Sequence, residues 1–224
     1  FSKDEMGEAI QTLSAANNGI DALQELVASA KSLAQSALSS DTTSEVETLR
    51  TQFNAVLDQV DTLSADSGYK GVNLLDGTTV ELEVRFDETG EESNLTLQGF
   101  LATDVTDNTT SADGIFVGDA DNWTAATAAG GATAINDSIT ELDDARTELR
   151  SQAKRLANDL STITTRNDFT SKMMQTLETG AGNLTLADMN EEGANMLMLQ
   201  TRQALGTTSL SIASQAAQAV LRLF

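Results

Sequence analysis

The chain has 224 residues with no cysteine, histidine or proline, and 13 basic against 34 acidic side chains give it a formal charge of −21. Such a field repels phosphate backbones and anionic headgroups, which excludes nucleic-acid and membrane-surface partners; without thiols or imidazoles there is no disulfide framework, thiolate nucleophile or histidine-bearing zinc site. Aromatic residues are only 4% of a sequence that is 40% hydrophobic, a balance that suits closely packed helices better than a sandwich or barrel.

Ala9, Leu13, Ala16, Ile20, Leu23, Val27, Ala30, Ala34 and Ala37 recur alternately four and three apart. That spacing predicts a coiled-coil-like helix of about eight turns. Ser39-Ser40-Asp41-Thr42-Thr43 breaks the pattern, and Ser44 is the expected N-cap of a second helix. Val46, Leu49, Phe53, Val56, Val60 and Leu63 continue the three-four spacing there. The two elements are expected to form a helical hairpin with a short polar connection.

Residues 64–134 change character. Ser67-Gly68 and Asp76-Gly77 are turn dipeptides. Val80, Leu82, Val84 and Phe86 alternate with polar residues, as in a half-buried strand. The acidic tract 87–92 is expected to turn the chain back into Leu95 and Leu97, which completes a β hairpin. Residues 104–131, rich in Asp, Thr, Ala and Gly, read as a surface loop or small irregular cap with short apolar pieces at Ile115-Phe116-Val117 and Trp123.

A long helix then follows, with Asn136 or Asp137 as expected cap. Ile135, Ile139, Leu142, Leu149, Ala153, Leu156, Leu160, Ile163, Met174 and Leu177 keep one register, a span of roughly 65 Å at about 1.5 Å per residue. Gly180 and Gly182 are expected to loosen the chain before a terminal helix. In that last segment Leu205, Ile212, Ala216, Val220 and Leu223 fall on one face, opposite Arg202, Thr208, Ser211, Gln215 and Gln218. Small residues along the seam let another helix approach closely.

Chemistry-bearing constellations are sparse. Asp143 and Asp144 are adjacent, so a helix points them to different sides and paired-carboxylate catalysis fails. Asp119, Asp121 and Asn122 start like a calcium loop, but its twelfth position is Gly130 where a bidentate Glu is needed. Gly130-Gly131 lacks the lysine of a phosphate-binding loop.

Two blocks resemble a known family. Leu186-Ala187-Asp188-Met189, Glu191-Glu192, Met196, Leu199, the run from Gln203 to Ser209 and that from Gln215 to Leu223 are similar to the carboxy-terminal end of bacterial flagellin. Leu33-Ala34-Gln35-Ser36-Ala37, Phe53, Leu57, Val60 and Tyr69-Lys70-Gly71-Val72-Asn73-Leu74-Leu75-Asp76-Gly77 resemble its first rod segment and the turn F-N-G-x-x-L-L-D-G. Ala217 departs from a proline found in many relatives.

The resemblance implies a mainly α protein: an elongated antiparallel helical bundle or coiled-coil rod with a small β hairpin, plus a separate C-terminal amphipathic helix. The expected domains are a rod at 1–179, with hairpin and loop insert at 78–134, and a polymerisation helix at 183–224. The rod core is expected to contain Leu13, Ile20, Val27, Val46, Phe53, Val56, Val60, Leu142, Leu149, Leu156 and Ile163. The polymerisation face is expected to be Leu205, Ile212, Ala216, Val220 and Leu223, whose partner in the family, an amino-terminal helix, is not among these residues.

The same resemblance implies a non-enzymatic subunit of the extracellular flagellar filament, without cofactor or metal. Its implied partners are other flagellin subunits, a flagellar export chaperone, and hook-associated and cap proteins. Alternatives are a hook–filament junction protein of the same family or a rod-shaped extracellular adhesin. The Ser/Thr-rich loop 103–127 is an expected glycosylation region. An innate immune receptor recognises an arginine, a leucine and a glutamate in the family's rod; Ser29, Leu33 and Gln52 stand there, and two departures of three imply weak recognition.

Overall fold

In the computed structural model, which describes residues 2–86, 93–102 and 117–222, the chain divides into two units, the first ending at Phe169 and the second beginning at Thr170. The first helix, α1 (Ser2–Leu38), buries all nine positions of the four-three series from Ala9 to Ala37. Thr12 lies among them, and its hydroxyl donates to the Glu8 carbonyl at 3.0 Å, so no donor is stranded. The alanines keep the seam narrow, and α2 (Thr43–Asp66) packs back along it.

The connection is held by hydroxyls. Ser40 and Thr42 donate from Oγ and Oγ1 to Glu45 Oε2 at 2.7 and 3.1 Å. The Ser40 bond, followed by that of Thr42, holds the Glu45 carboxyl below its ordinary range. Thr42, in extended conformation, is the N-cap of α2 rather than Ser44, because the break ends two residues earlier than its composition suggests. Within α2 the buried residues are Val46, Phe53, Leu57, Val60 and Ser64; Val56 is only partly buried against the core. Val56 and Leu57 are both apolar, and the helix turns the second of them inward.

Beyond α2 the chain makes a tight turn at Tyr69–Val72, whose backbones exchange bonds of 2.9 and 3.0 Å. Lys70 and Gly71 take φ of +49° and +84°, the left-handed pair that such a two-residue reversal requires. Asn73 then ties this segment to α2: its Nδ2 donates to the Ser64 carbonyl at 2.7 Å, and its Oδ1 accepts from Leu75 N at 3.0 Å. Leu74 and Leu75 are buried as a result. Strands β1 (Glu81–Arg85) and β2 (Asn94–Gln98) pair antiparallel, with Val84 opposite Leu95 and Leu82 opposite Leu97. Val84 and Leu97 face the core. The expected turn at 87–92 lies outside the described residues, as do Ile115 and Phe116.

Of the two forms expected for this region, residues 117–130 take that of a small irregular cap, exposed over much of its length but anchored by Val117, Ala120, Trp123 and Ala125. A short 3₁₀ turn (Ala120–Asn122) leads into Trp123, which is buried with its ring centroid 4.6 Å from that of Phe53. Trp123 Nε1 donates to Ser138 Oγ at 3.0 Å. Further bonds run from Ala120 N to Asn54 Oδ1 and from Gly118 N to Glu141 Oε2, both at 3.0 Å. Apolar bulk and a satisfied indole explain why this polar-looking segment is drawn in.

The third helix, α3 (Gly131–Leu221), starts earlier than Asn136 or Asp137. Gly130, at φ +86°, accepts the first helical bond from Ala134 N. Asn136 lies within the helix and donates from Nδ2 to the Ala132 carbonyl. In the first unit α3 buries Ile135, Leu142, Ala145, Leu149, Leu156 and Ile163, and Lys31 of α1 forms an ion pair with Asp143. Burial stops at Ile163: Met174 and Leu177, expected to extend the register, are exposed. Gly180 and Gly182 do not interrupt α3. A helical glycine costs only about 1 kcal/mol relative to alanine, too little by itself to end a helix.

Candidate assembly surface

The second unit is the carboxy-terminal stretch of α3, and from Lys172 onward every described residue is exposed. A helix that buries nothing is normally polar all round. This one is not. Leu205, Ile212 and Val220 are 63%, 62% and 61% exposed, and the small side chain of Ala216 lies open beside them. Steps of seven, four and four place these residues on one face. Leu223, expected to complete it, lies outside the described residues.

Sequence reasoning missed a second series. Met189, Met196, Leu199 and Leu210 also fall three, seven or eleven apart and are equally open, and Met198 extends the first face by one heptad before Leu205. The signal was available in the spacing, but scattered polar residues between the members hid it. Two apolar stripes on one helix give it more than one side on which another helix could pack.

The remaining candidate residues lie in the first unit. Of the eleven predicted core positions, all but Val56 are fully buried, and they join one cluster with Val84, Leu97 and Trp123. Ser29 and Gln52 are exposed on α1 and α2, and Leu33 is half-buried against the core. Among the described residues no three acidic side chains gather as a metal site. No helix among them is long and apolar enough to cross a membrane.

A helical core stabilised by alanine-rich seams, followed by an uncovered apolar helix, defines a structural protein built to associate through helices. Comparison with known proteins makes the class specific. Residues 132–224 match the family described as the bacterial flagellin C-terminal helical region. Flagellin FljM of Caulobacter vibrioides is 30% identical over 99% of this chain and 76% of its own length. A flagellin of Brucella melitensis is 28% identical over 99% of the chain and 77% of its own length. The crystal structure of Bacillus cereus flagellin superposes with a TM-score of 0.43 at 19% identity, covering 71% of this chain and 88% of that one. The chain belongs to the flagellin family, a family of structural proteins, and it is a structural subunit of the bacterial flagellar filament.

Proposed function

We propose that subunits polymerise through the apolar faces of the helix from residue 183 to 224, with Leu205, Ile212, Ala216, Val220 and Leu223 as the principal contact line, while residues 1–179 form the rod that each subunit adds to the filament. The observation that carries this reading is the exposure of large aliphatic side chains, from Leu184 to Leu221, along the carboxy-terminal stretch of α3. Burying such a side chain stabilises by roughly 1.5 to 3 kcal/mol, so several together supply a strong drive toward association. The filament is extracellular. Before assembly the same face is the natural seat of the export chaperone, and hook-associated and cap proteins are further partners of the filament. On the rod, Ser29, Leu33 and Gln52 give the innate receptor a weak match, and the Ser/Thr-rich stretch 103–127, of which 103–116 lie outside the described residues, is the glycosylation region.

The test is a substitution on the face. Ile212→Asp places a charge in the proposed seam and is expected to abolish filaments seen by electron microscopy. Thermal unfolding of the first unit, followed by the fluorescence of Trp123, should not change. Normal filaments from the variant would refute the assignment of this face.

A further inference from the structure

The protein has six methionines. Met6 is fully buried in the core of the first unit, whereas Met173, Met174, Met189, Met196 and Met198 are between 43% and 70% exposed. Their placement is not scattered with respect to the apolar stripes. Met198 stands seven residues before Leu205, which stands seven before Ile212, and Met189 stands seven before Met196. Thioethers therefore occupy both faces that the preceding reading assigns to assembly.

We propose that Met189, Met196 and Met198 form an oxidation-labile surface, and that peroxide-class oxidants acting on it reversibly brake polymerisation of the unassembled subunit. The inference rests on the assembly reading above. In the step itself a lone pair on sulfur attacks one oxygen of hydrogen peroxide and the O–O bond breaks. The proton left on the transferred oxygen passes to the departing hydroxide. The products are methionine sulfoxide and water, with sulfur oxidised by two electrons and the peroxide reduced by the same two.

Physical chemistry supplies the consequence. An unbranched thioether fills irregular gaps in an apolar contact. A sulfoxide carries a strong dipole and acceptor oxygen, and burying it among leucines and alanines without a donor is unfavourable. Leucine or isoleucine at these sites would be inert to the same reagent. Oxidation thus changes the faces without touching the rod core, where Met6 is shielded.

The experiment treats the full-length monomer with hydrogen peroxide and follows each methionine by peptide mass spectrometry, then measures filament yield by sedimentation. Met189, Met196 and Met198 are expected to gain oxygen while Met6 reacts at least about tenfold more slowly, since it needs local opening. The critical concentration for assembly should rise by about tenfold or more. Treatment with methionine sulfoxide reductases should remove the added oxygens and restore assembly. The variant carrying M189L, M196L and M198L, measured against its own untreated sample, should lose much less on oxidation.

Equal reactivity of Met6, or no reaction at Met189, Met196 and Met198, would overturn the labile surface. Unaltered assembly after full oxidation, failure to recover on reduction, or undiminished sensitivity of the triple variant would overturn the brake. Failure of the untreated chain to polymerise would overturn the assembly reading and the brake with it, while the site-by-site pattern would still decide the labile surface.

Discussion

Gly19 is the point where α1 lets the end of α2 come close. A Cβ built there would lie 2.7 Å from Ser67 Cβ and 2.3 Å from Ser67 Oγ. Ser67 cannot swing aside freely, because its hydroxyl already donates to the Leu63 carbonyl at 2.6 Å. Helix propensity alone would favour Gly19→Ala by up to about 1 kcal/mol, but overpacking of this kind costs about 1 to 3 kcal/mol. The substitution is expected to lower Tm, and Ser67→Gly in the same chain should recover most of the loss. Asp159 offers a second test at this scale. Burial raises its carboxyl above the ordinary range, against the opposing charge of Arg155. With the folded pKa raised, the contribution to stability is fully present below the unfolded value and is lost as pH rises through the folded one. At neutral pH the charge therefore works against the fold. Asp159→Asn should raise Tm at pH 7, and the gap should close as pH falls below the ordinary carboxylate value of about 3.9.

At the scale of elements, legibility followed how strictly the apolar period was kept. The α1 series was readable in full because each step is unambiguous. In α2 the neighbours Val56 and Leu57 left a three-step and a four-step equally open, and only packing against α1 chose between them. Trp123 could not be placed from sequence, since its partners Phe53 and Ser138 lie on two other elements and local spacing says nothing of them. The start of α3 was missed for a related reason: Gly130 provides a reversal that competes with the side-chain cap expected at Asn136. For α3 itself the register makes a direct prediction. Leu149 and Leu156 are fully buried, so Leu149→Ala or Leu156→Ala should each cost about 2 to 5 kcal/mol, read as an earlier loss of native Trp123 fluorescence on heating. Gly180 and Gly182 behave oppositely. Neither would bring a Cβ within 4 Å of another group, so alanine at each should strengthen the local helix by up to about 1 kcal/mol, visible as greater helical circular dichroism of the monomer.

For the molecule as a whole, the decisive contrast is between a first unit with a continuous core and a second whose described side chains beyond Ser171 are all exposed. Spacing placed Leu205, Ile212 and Val220 on one side of the terminal helix, and the structure leaves all three exposed. Spacing could not say what covers that face, because it carries no information about a neighbour. Energetics sharpen the point. A helix in water with no tertiary packing is marginal, since nucleation is unfavourable and each further residue gains little, and fixing a residue's backbone costs about 1 to 2 kcal/mol. Residues 183–222 should therefore be strongly protected from hydrogen exchange only when another chain lies against them, as in the filament. In the dilute monomer their amides should exchange quickly, while those of α1, α2 and α3 up to Ile163 exchange slowly at the rate set by unfolding of the first unit. Polymerisation should then slow exchange across 183–222 and leave the first unit nearly unchanged. Strong protection of the terminal stretch at high dilution, without any partner, would mean that this helix is stabilised within its own chain, and the drive assigned here to assembly would have to be sought elsewhere.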